Sequence, residues 1–168
     1  MKNYVPHPRY GSQPITSGHV YSKDEIESAH WRYASLKYFP ETAIPAEPEK
    51  QNYADYFRKL YVDIEETCKG CQREFIFFAL EQKYWFEELK FWVDSHCIKC
   101  VNCRKRDFEI KQMQVEYSNL ISKVDRTAEE TQIVKAIGQE LFELGYIKNI
   151  NKLKKISYQT PAQCAFGV

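Results

Sequence analysis

Residues 96–106 read HCIKCVNCRKR, and residues 66–75 read ETCKGCQREF. The second stretch holds one C-x-x-C pair, Cys68 and Cys71; the first spaces three cysteines, Cys97, Cys100 and Cys103, by the same interval. A C-x-x-C turn can aim both sulfurs at one ion, and thiolates suit zinc, which takes four tetrahedral ligands at about 2.3 Å. Two pairs complete one such site, so one of the three later cysteines is spare. The pairs are 25 residues apart if Cys97 opens the second and 28 if Cys100 does. Both gaps exceed the roughly 15–20 residues of a simple ribbon, which implies a helix inserted between the pairs. Buried free cysteines would have no reason to repeat this spacing.

The flanking segments indicate which later pair binds. YVDIEET, 61–67, alternates apolar and polar residues as a strand does, REFIFFA after Cys71 reads as a second strand, and ALEQKYWFEELKFW, 79–92, reads as a helix with Tyr84, Trp85, Leu89 and Trp92 on its core face. Ile110, Met113, Tyr117, Leu120, Ile121 and Val124 then form one apolar stripe, predicting a long helix from about Cys100 to Val124. Cys100 and Cys103 fall on its first turn, where free N–H groups and the positive dipole end stabilise thiolates. The favoured ligands are therefore Cys68, Cys71, Cys100 and Cys103. Cys97, three residues further out, is the alternate ligand, and an arrangement with Cys97 in place of Cys103 stays open on this argument.

Tyr61 and Asp63 before the first pair, Phe75 after it, Glu81-Gln82 followed by Tyr84 and Trp85, and the C-x-x-C-R at Cys100–Arg104 form a wider pattern. Over residues 59–108 it resembles a probable zinc-ribbon, treble-clef-like domain family found in bacterial proteins of unknown function. The arm opening VPHPRYGSQP also resembles longer members. The resemblance implies a knuckle, a β-hairpin and a helix around one structural Zn2+ held by Cys68, Cys71, Cys100 and Cys103, since the family's arginine follows its last cysteine as Arg104 follows Cys103. It implies no activity. Gln72, where a glycine is common, and the additional Cys97 depart from the pattern.

Outward from this centre, residues 1–58 hold six of the seven prolines, which predicts a mostly irregular, proline-rich arm over the domain. Within it, 24–39 reads as a short helix with Ile26, Trp31 and Tyr38 packed inward. The zinc-binding domain with its long helix spans 59–125, and 126–168 forms a helical extension. There Thr127 and Glu130 make a capping box, Ile133, Val134, Ile137, Leu141 and Leu144 form a buried face ended by Gly145, and 149–157 makes a last helix burying Ile150, Leu153 and Ile156. The tail TPAQCAFGV, with Cys164, reads as frayed, and no repeat recurs at a fixed period. The fold class expected is α+β.

The net charge of +1 supplies no global attraction to nucleic acid or membrane, and no apolar run is long enough to span a bilayer. The opening MKNYVPHPRYGSQP lacks the apolar run of a secretory leader, so a cytoplasmic protein is expected, in which paired cysteines read as metal or redox sites rather than disulfides. Arg104, Lys105 and Arg106 could contact phosphate, but four thiolates around Zn2+ carry a net −2 that nearby cations offset. Glu81 and Gln82 read as packing or metal-supporting groups rather than catalytic ones. His96 would complete an open, catalytic site, but five neighbouring cysteines make a closed one simpler. A Gly-rich phosphate loop, H-E-x-x-H and a nucleophile elbow are all missing. The function expected is a structural zinc protein acting as a protein-interaction or adaptor module. A nucleic-acid-binding zinc protein is the alternative, and a zinc-dependent enzyme a less favoured one.

Overall fold

The computed structural model describes residues 2–156. The tail TPAQCAFGV and its Cys164 lie outside them. The chain divides into two compact units, residues 1–104 and 105–168.

In the first unit three strands form an antiparallel sheet: β1 (Lys37–Pro45), β2 (Leu60–Thr67) and β3 (Glu74–Phe77), with β2 central. β1 comes from the proline-rich segment, which thus supplies one strand of the sheet between its irregular stretches. The sheet tolerates the prolines because β1 is an edge strand whose register breaks between Phe39 and Ile44, which removes Pro40 from the regular ladder. The helix expected over 24–39 is only α1 (Lys23–Ala29). Ser22 caps it: its Oγ accepts from the Glu25 N–H at 3.2 Å, and Glu25 Oε2 accepts from the Ser22 N–H at 2.7 Å. Ile26 is buried and Tyr38 joins β1, but Trp31 is 64% exposed rather than packed inward.

β2 keeps the alternation of a strand, yet both of its faces are covered. Val62 and Ile64 join Ile26, Tyr33, Phe75, Phe77 and three cysteines in the main core, while Tyr61 packs with Ala79, Phe86 and Val93. Asp63, on the second face, is buried but satisfied. Its Oδ1 accepts from the N–H of Ala79 at 2.6 Å and its Oδ2 from that of Ile15 at 3.0 Å. Ala79 opens α2 (Ala79–Lys83), whose preceding residue Phe78 provides no side-chain cap, so Asp63 supplies the cap from the sheet.

α2 then widens into one π turn over Tyr84–Glu88, closed by the Leu89 N–H donating to the Tyr84 carbonyl at 3.0 Å. The extra residue in that turn rotates the register away from 3.6-residue spacing. The expected core stripe is displaced as a result: Tyr84, Leu89 and Trp92 are exposed, Trp85 is partly buried, and Phe86 fills the core. The core also holds Arg58, buried among carbonyls and rings. Its Nε and Nη2 donate to the Val93 carbonyl at 2.9 and 2.7 Å, and its guanidinium lies 4.5 Å from the Phe86 ring centroid.

Helix α3 (Val101–Ser122) begins in the first unit and continues into the second. In the second unit α4 (Ala128–Glu143) carries the Thr127–Glu130 capping box and ends at Gly145, φ +81°. α5 (Ile150–Lys154) is shorter than the expected 149–157. Val134, Leu153 and Ile156 form the core here, with Tyr117 and Leu120 against it. Ile133 and Val124 face solvent instead, Val124 because α3 has already ended at Ser122. Among the described residues no helix is long and apolar enough to cross a membrane.

Candidate metal centre

The knuckle between β2 and β3 and the start of α3 meet at four cysteines. The Cys68 N–H donates to the Arg73 carbonyl at 2.9 Å, and the Gln72 N–H to the Cys68 carbonyl at 2.9 Å, which closes the C-K-G-C turn. Gln72 takes φ +59° where a glycine would be unstrained, a conformation uncommon for a residue with a side chain. The Lys69 N–H donates to the Ile98 carbonyl at 2.9 Å and ties the knuckle to the segment before α3. The Cys100 carbonyl accepts the first bond of that helix, from the Arg104 N–H at 3.0 Å, so Cys100 stands at its edge and Cys103 on its first turn.

The Sγ atoms of Cys68, Cys71, Cys100 and Cys103 all lie within 4.8 Å of one another, with Cys71 and Cys100 at 3.8 Å. A tetrahedral ion with metal–sulfur bonds of about 2.3 Å separates its sulfurs by about 3.8 Å, so the four thiols fit a metal with little movement. Cys68 Sγ also accepts from the N–H groups of Cys100, at 3.2 Å, and Gly70, at 3.4 Å. Burial opposes ionisation of Cys68, but the N–H groups of Cys100, Cys71 and Gly70 outweigh it and bring the thiol down to about 6. The guanidinium of Arg73 lowers Cys71. Burial raises Cys100, and burial with the neighbouring thiols raises Cys103 to about 12. Backbone donors and Arg73 thus favour the thiolate at Cys68 and Cys71, and a metal ion at the centre would supply the positive charge that thiolates at Cys100 and Cys103 lack.

Cys97 is not in the converging set. It is buried in the main core, its Sγ 3.2 Å from the Lys99 carbonyl, and burial pushes its thiol up to about 12. His96 is turned to Glu66, Nε2 to Oε1 at 2.6 Å. Arg104 is engaged: its Nη2 donates to Glu81 Oε1 at 2.6 Å, and its guanidinium lies 4.9 Å from the Trp85 ring centroid. Lys105 reaches Glu109 at 3.8 Å, and both Lys105 and Arg106 are exposed on α3. Gln82 is wholly buried and donates to the carbonyls of Val62 and Phe77 at 2.7 and 3.0 Å. Sequence reasoning missed the buried Arg58 and His7, whose Nε2 lies 3.5 Å from Glu81 Oε1.

Residues 62–112 match the profile of a family described as a probable treble clef domain. The match contains all four converging cysteines, and the α+β arrangement of knuckle, strands and helix around them is that of a treble clef. Neither a curated protein nor a solved structure gives a significant match to the chain.

Proposed function

We propose, from a treble clef domain built around four converging thiols, that the chain holds one zinc ion in a structural role and serves as a protein-interaction or adaptor module. The observation that carries the structural role is the donor set. Four soft thiolates in a tetrahedron select zinc or iron over the hard cations, and they close the coordination sphere, leaving no position at which a water or substrate could be activated. Metal binding then serves folding: apparent energies for structural zinc sites run to about 10–16 kcal/mol.

The interaction role draws on the surface of the first unit. Trp31 and Tyr56, 64% and 75% exposed, rim a groove of about 750 Å3 that Phe57 and His30 also line. Trp31 is held ready: its Nε1 donates to Asp94 at 3.0 Å, and the Arg32 guanidinium lies 4.8 Å from its centroid. Exposed aromatic side chains are what protein interfaces are enriched in. The basic run supplies less support for the nucleic-acid alternative, because Arg104 and Lys105 already face carboxylates.

Affinity capture from native lysate by the zinc-loaded protein, with and without nuclease, tests this reading. Specific protein partners that survive nuclease and are lost with a Trp31→Ala/Tyr56→Ala double substitution are expected. Capture that nuclease abolishes, or that the double substitution leaves unchanged, overturns the interaction role. Iron in place of zinc, or no metal, on elemental analysis overturns the structural zinc.

A further inference from the structure

The groove rimmed by Trp31 and Tyr56 has two walls in the first unit. One is residues 27–31, the end of α1 and the two residues after it; the other is Asp55, Tyr56, Phe57 and Lys59. The Lys59 N–H donates to the Ala29 carbonyl at 3.1 Å and joins the walls. Burial, with Arg58 close by, pushes the His30 imidazole down to about 4, so His30 brings no charge to the groove near pH 7. Trp31 carries the Arg32 guanidinium at 4.8 Å and the His30 ring at 5.7 Å and is still 64% exposed. Phe57 leans on Tyr53, centroids 5.5 Å apart, whereas Tyr56 is 75% exposed and stands against no other ring among the described residues.

The second wall is pinned at both ends. Before it, the Asn52 carbonyl accepts from the Val93 N–H at 3.1 Å, and Asn52 Nδ2 donates to the Lys90 carbonyl at 3.2 Å. After it, the Arg58 N–H and carbonyl both bond to the Gln51 amide at 2.8 Å, and the buried Arg58 Nε donates to the Val93 carbonyl at 2.9 Å. Between these anchors, residues 53–57 make no hydrogen bond to the rest of the described chain, through backbone or side chain. An exposed backbone with fixed ends thus runs along an aromatic groove.

That backbone narrows the occupant. Water satisfies open N–H and C=O groups, but a partner that covers them must replace the lost bonds. A helix bonds its own backbone and leaves them unmet. A proline-rich segment offers carbonyls but few N–H groups. An extended peptide offers both, and its alternate side chains point into the groove and away from it. The fixed ends at Asn52 and Arg58 reduce the chain order lost on binding. Asp55 and Lys59 both line the groove, and neither has an ion-pair partner among the described residues. A peptide with a basic and an acidic side chain flanking an apolar one complements them. We infer that the groove takes an extended peptide of a partner protein, which hydrogen-bonds along residues 53–57, sets an apolar side chain between Trp31 and Tyr56, and directs its base to Asp55 and its acid to Lys59. The inference rests on the interaction role proposed above and gives its partner a chemistry.

Selection of short linear peptides from a displayed random library on the zinc-loaded full chain, with the Trp31→Ala chain for counter-selection, tests it. The enriched peptides are expected to carry an apolar residue between opposite charges and to lack a helical repeat or a proline run. Their synthetic versions should bind the parent and lose about ten-fold or more on Trp31→Ala. Methylation of the peptide's backbone nitrogens should weaken binding at alternate positions and matter little between them, because only every second N–H of a strand faces its neighbour. Hydrogen exchange at the amides of residues 53–57 should slow when the peptide binds. Asp55→Ala should reduce the preference for the base. Trp31 and Asp55 are exposed, so these variants keep the fold and the zinc. Helical or proline-rich winners, methylation without effect, unchanged exchange at 53–57, or self-association that Trp31→Ala abolishes would each overturn the extended-peptide site. Failure of every peptide to bind at millimolar concentration overturns it too, while the interaction role itself stands or falls on the lysate capture described above.

Discussion

Gly70→Ala should weaken metal binding without touching a ligand. Gly70 is exposed and its φ is not left-handed, so the obstacle is space rather than backbone conformation. A Cβ at this position would stand 3.0 Å from Cys103 Sγ, 3.3 Å from Cys103 Cβ and 3.7 Å from Cys68 Sγ. The first two contacts are too tight by a few tenths of an ångström. The usual relief, rotation of the offending side chain, is blocked when Cys103 Sγ is held on a metal. The knuckle must move away from α3 instead, and this stretches the four-thiol set. Overpacking of this kind costs about 1–3 kcal/mol, which is roughly a 5- to 150-fold loss of affinity. Competition against a chromophoric zinc chelator measures it, with Lys69→Ala as control. Lys69 is an exposed neighbour whose loss should stay within about 0.5 kcal/mol, or about two-fold. Should Gly70→Ala match the control, either the knuckle has slack that the contacts deny or Cys103 does not bind the metal.

Two further outcomes follow from buried charge. Arg104→Ala strands the Glu81 carboxylate and should cost about 3–5 kcal/mol, part of which Glu81→Gln in the same chain recovers by removing that charge; denaturant titration of the parent, both single variants and the double variant shows it, and purely additive losses would refute the coupling. Burial raises the Asp63 carboxyl to about 6, against the N–H groups of Ala79 and Ile15, and the unfolded value is about 3.9. The folded chain therefore holds the Asp63 proton more tightly than the unfolded chain, so this contribution is fully present below about pH 4 and is lost as pH rises to about 6, by about 3 kcal/mol at most. The stability of the parent minus that of Asp63→Asn, at fixed zinc, should fall between these pH values and be flat above. A difference that rises instead would mean that the two N–H bonds outweigh burial.

Much of the centre is legible in the sequence because its determinants are local. The C-x-x-C spacing, the helix that begins beside the second pair and the Thr127–Glu130 box each operate within a few residues, and the four thiols that converge are those that the first-turn argument and the family resemblance select. What escaped the sequence depends on distant partners. β1 hides in a proline-rich segment because an edge strand with a broken register can absorb Pro40, which no local pattern announces. The Tyr84, Leu89 and Trp92 stripe turns outward because one π turn shifts the register, and α-helical periodicity assumes that none occurs. Nothing local to Arg58 announces its burial, and only the fold shows the Val93 carbonyl and Phe86 ring around it. The His7–Glu81–Arg104 link joins the arm, α2 and the start of α3, three segments that sequence spacing cannot bring together.

The central claim is that Cys68, Cys71, Cys100 and Cys103 hold one metal while Cys97 only packs. Metal content by elemental analysis, together with the absorption of the cobalt-substituted protein, on Cys97→Ser and Cys103→Ser side by side, tests it most directly. Cys97→Ser should keep one zinc per chain, the tetrahedral thiolate spectrum and a nearly unchanged melting temperature. Cys103→Ser should lose most of its zinc affinity and loosen the first unit, because binding and folding are coupled. Loss of the metal from Cys97→Ser with retention in Cys103→Ser would contradict the account.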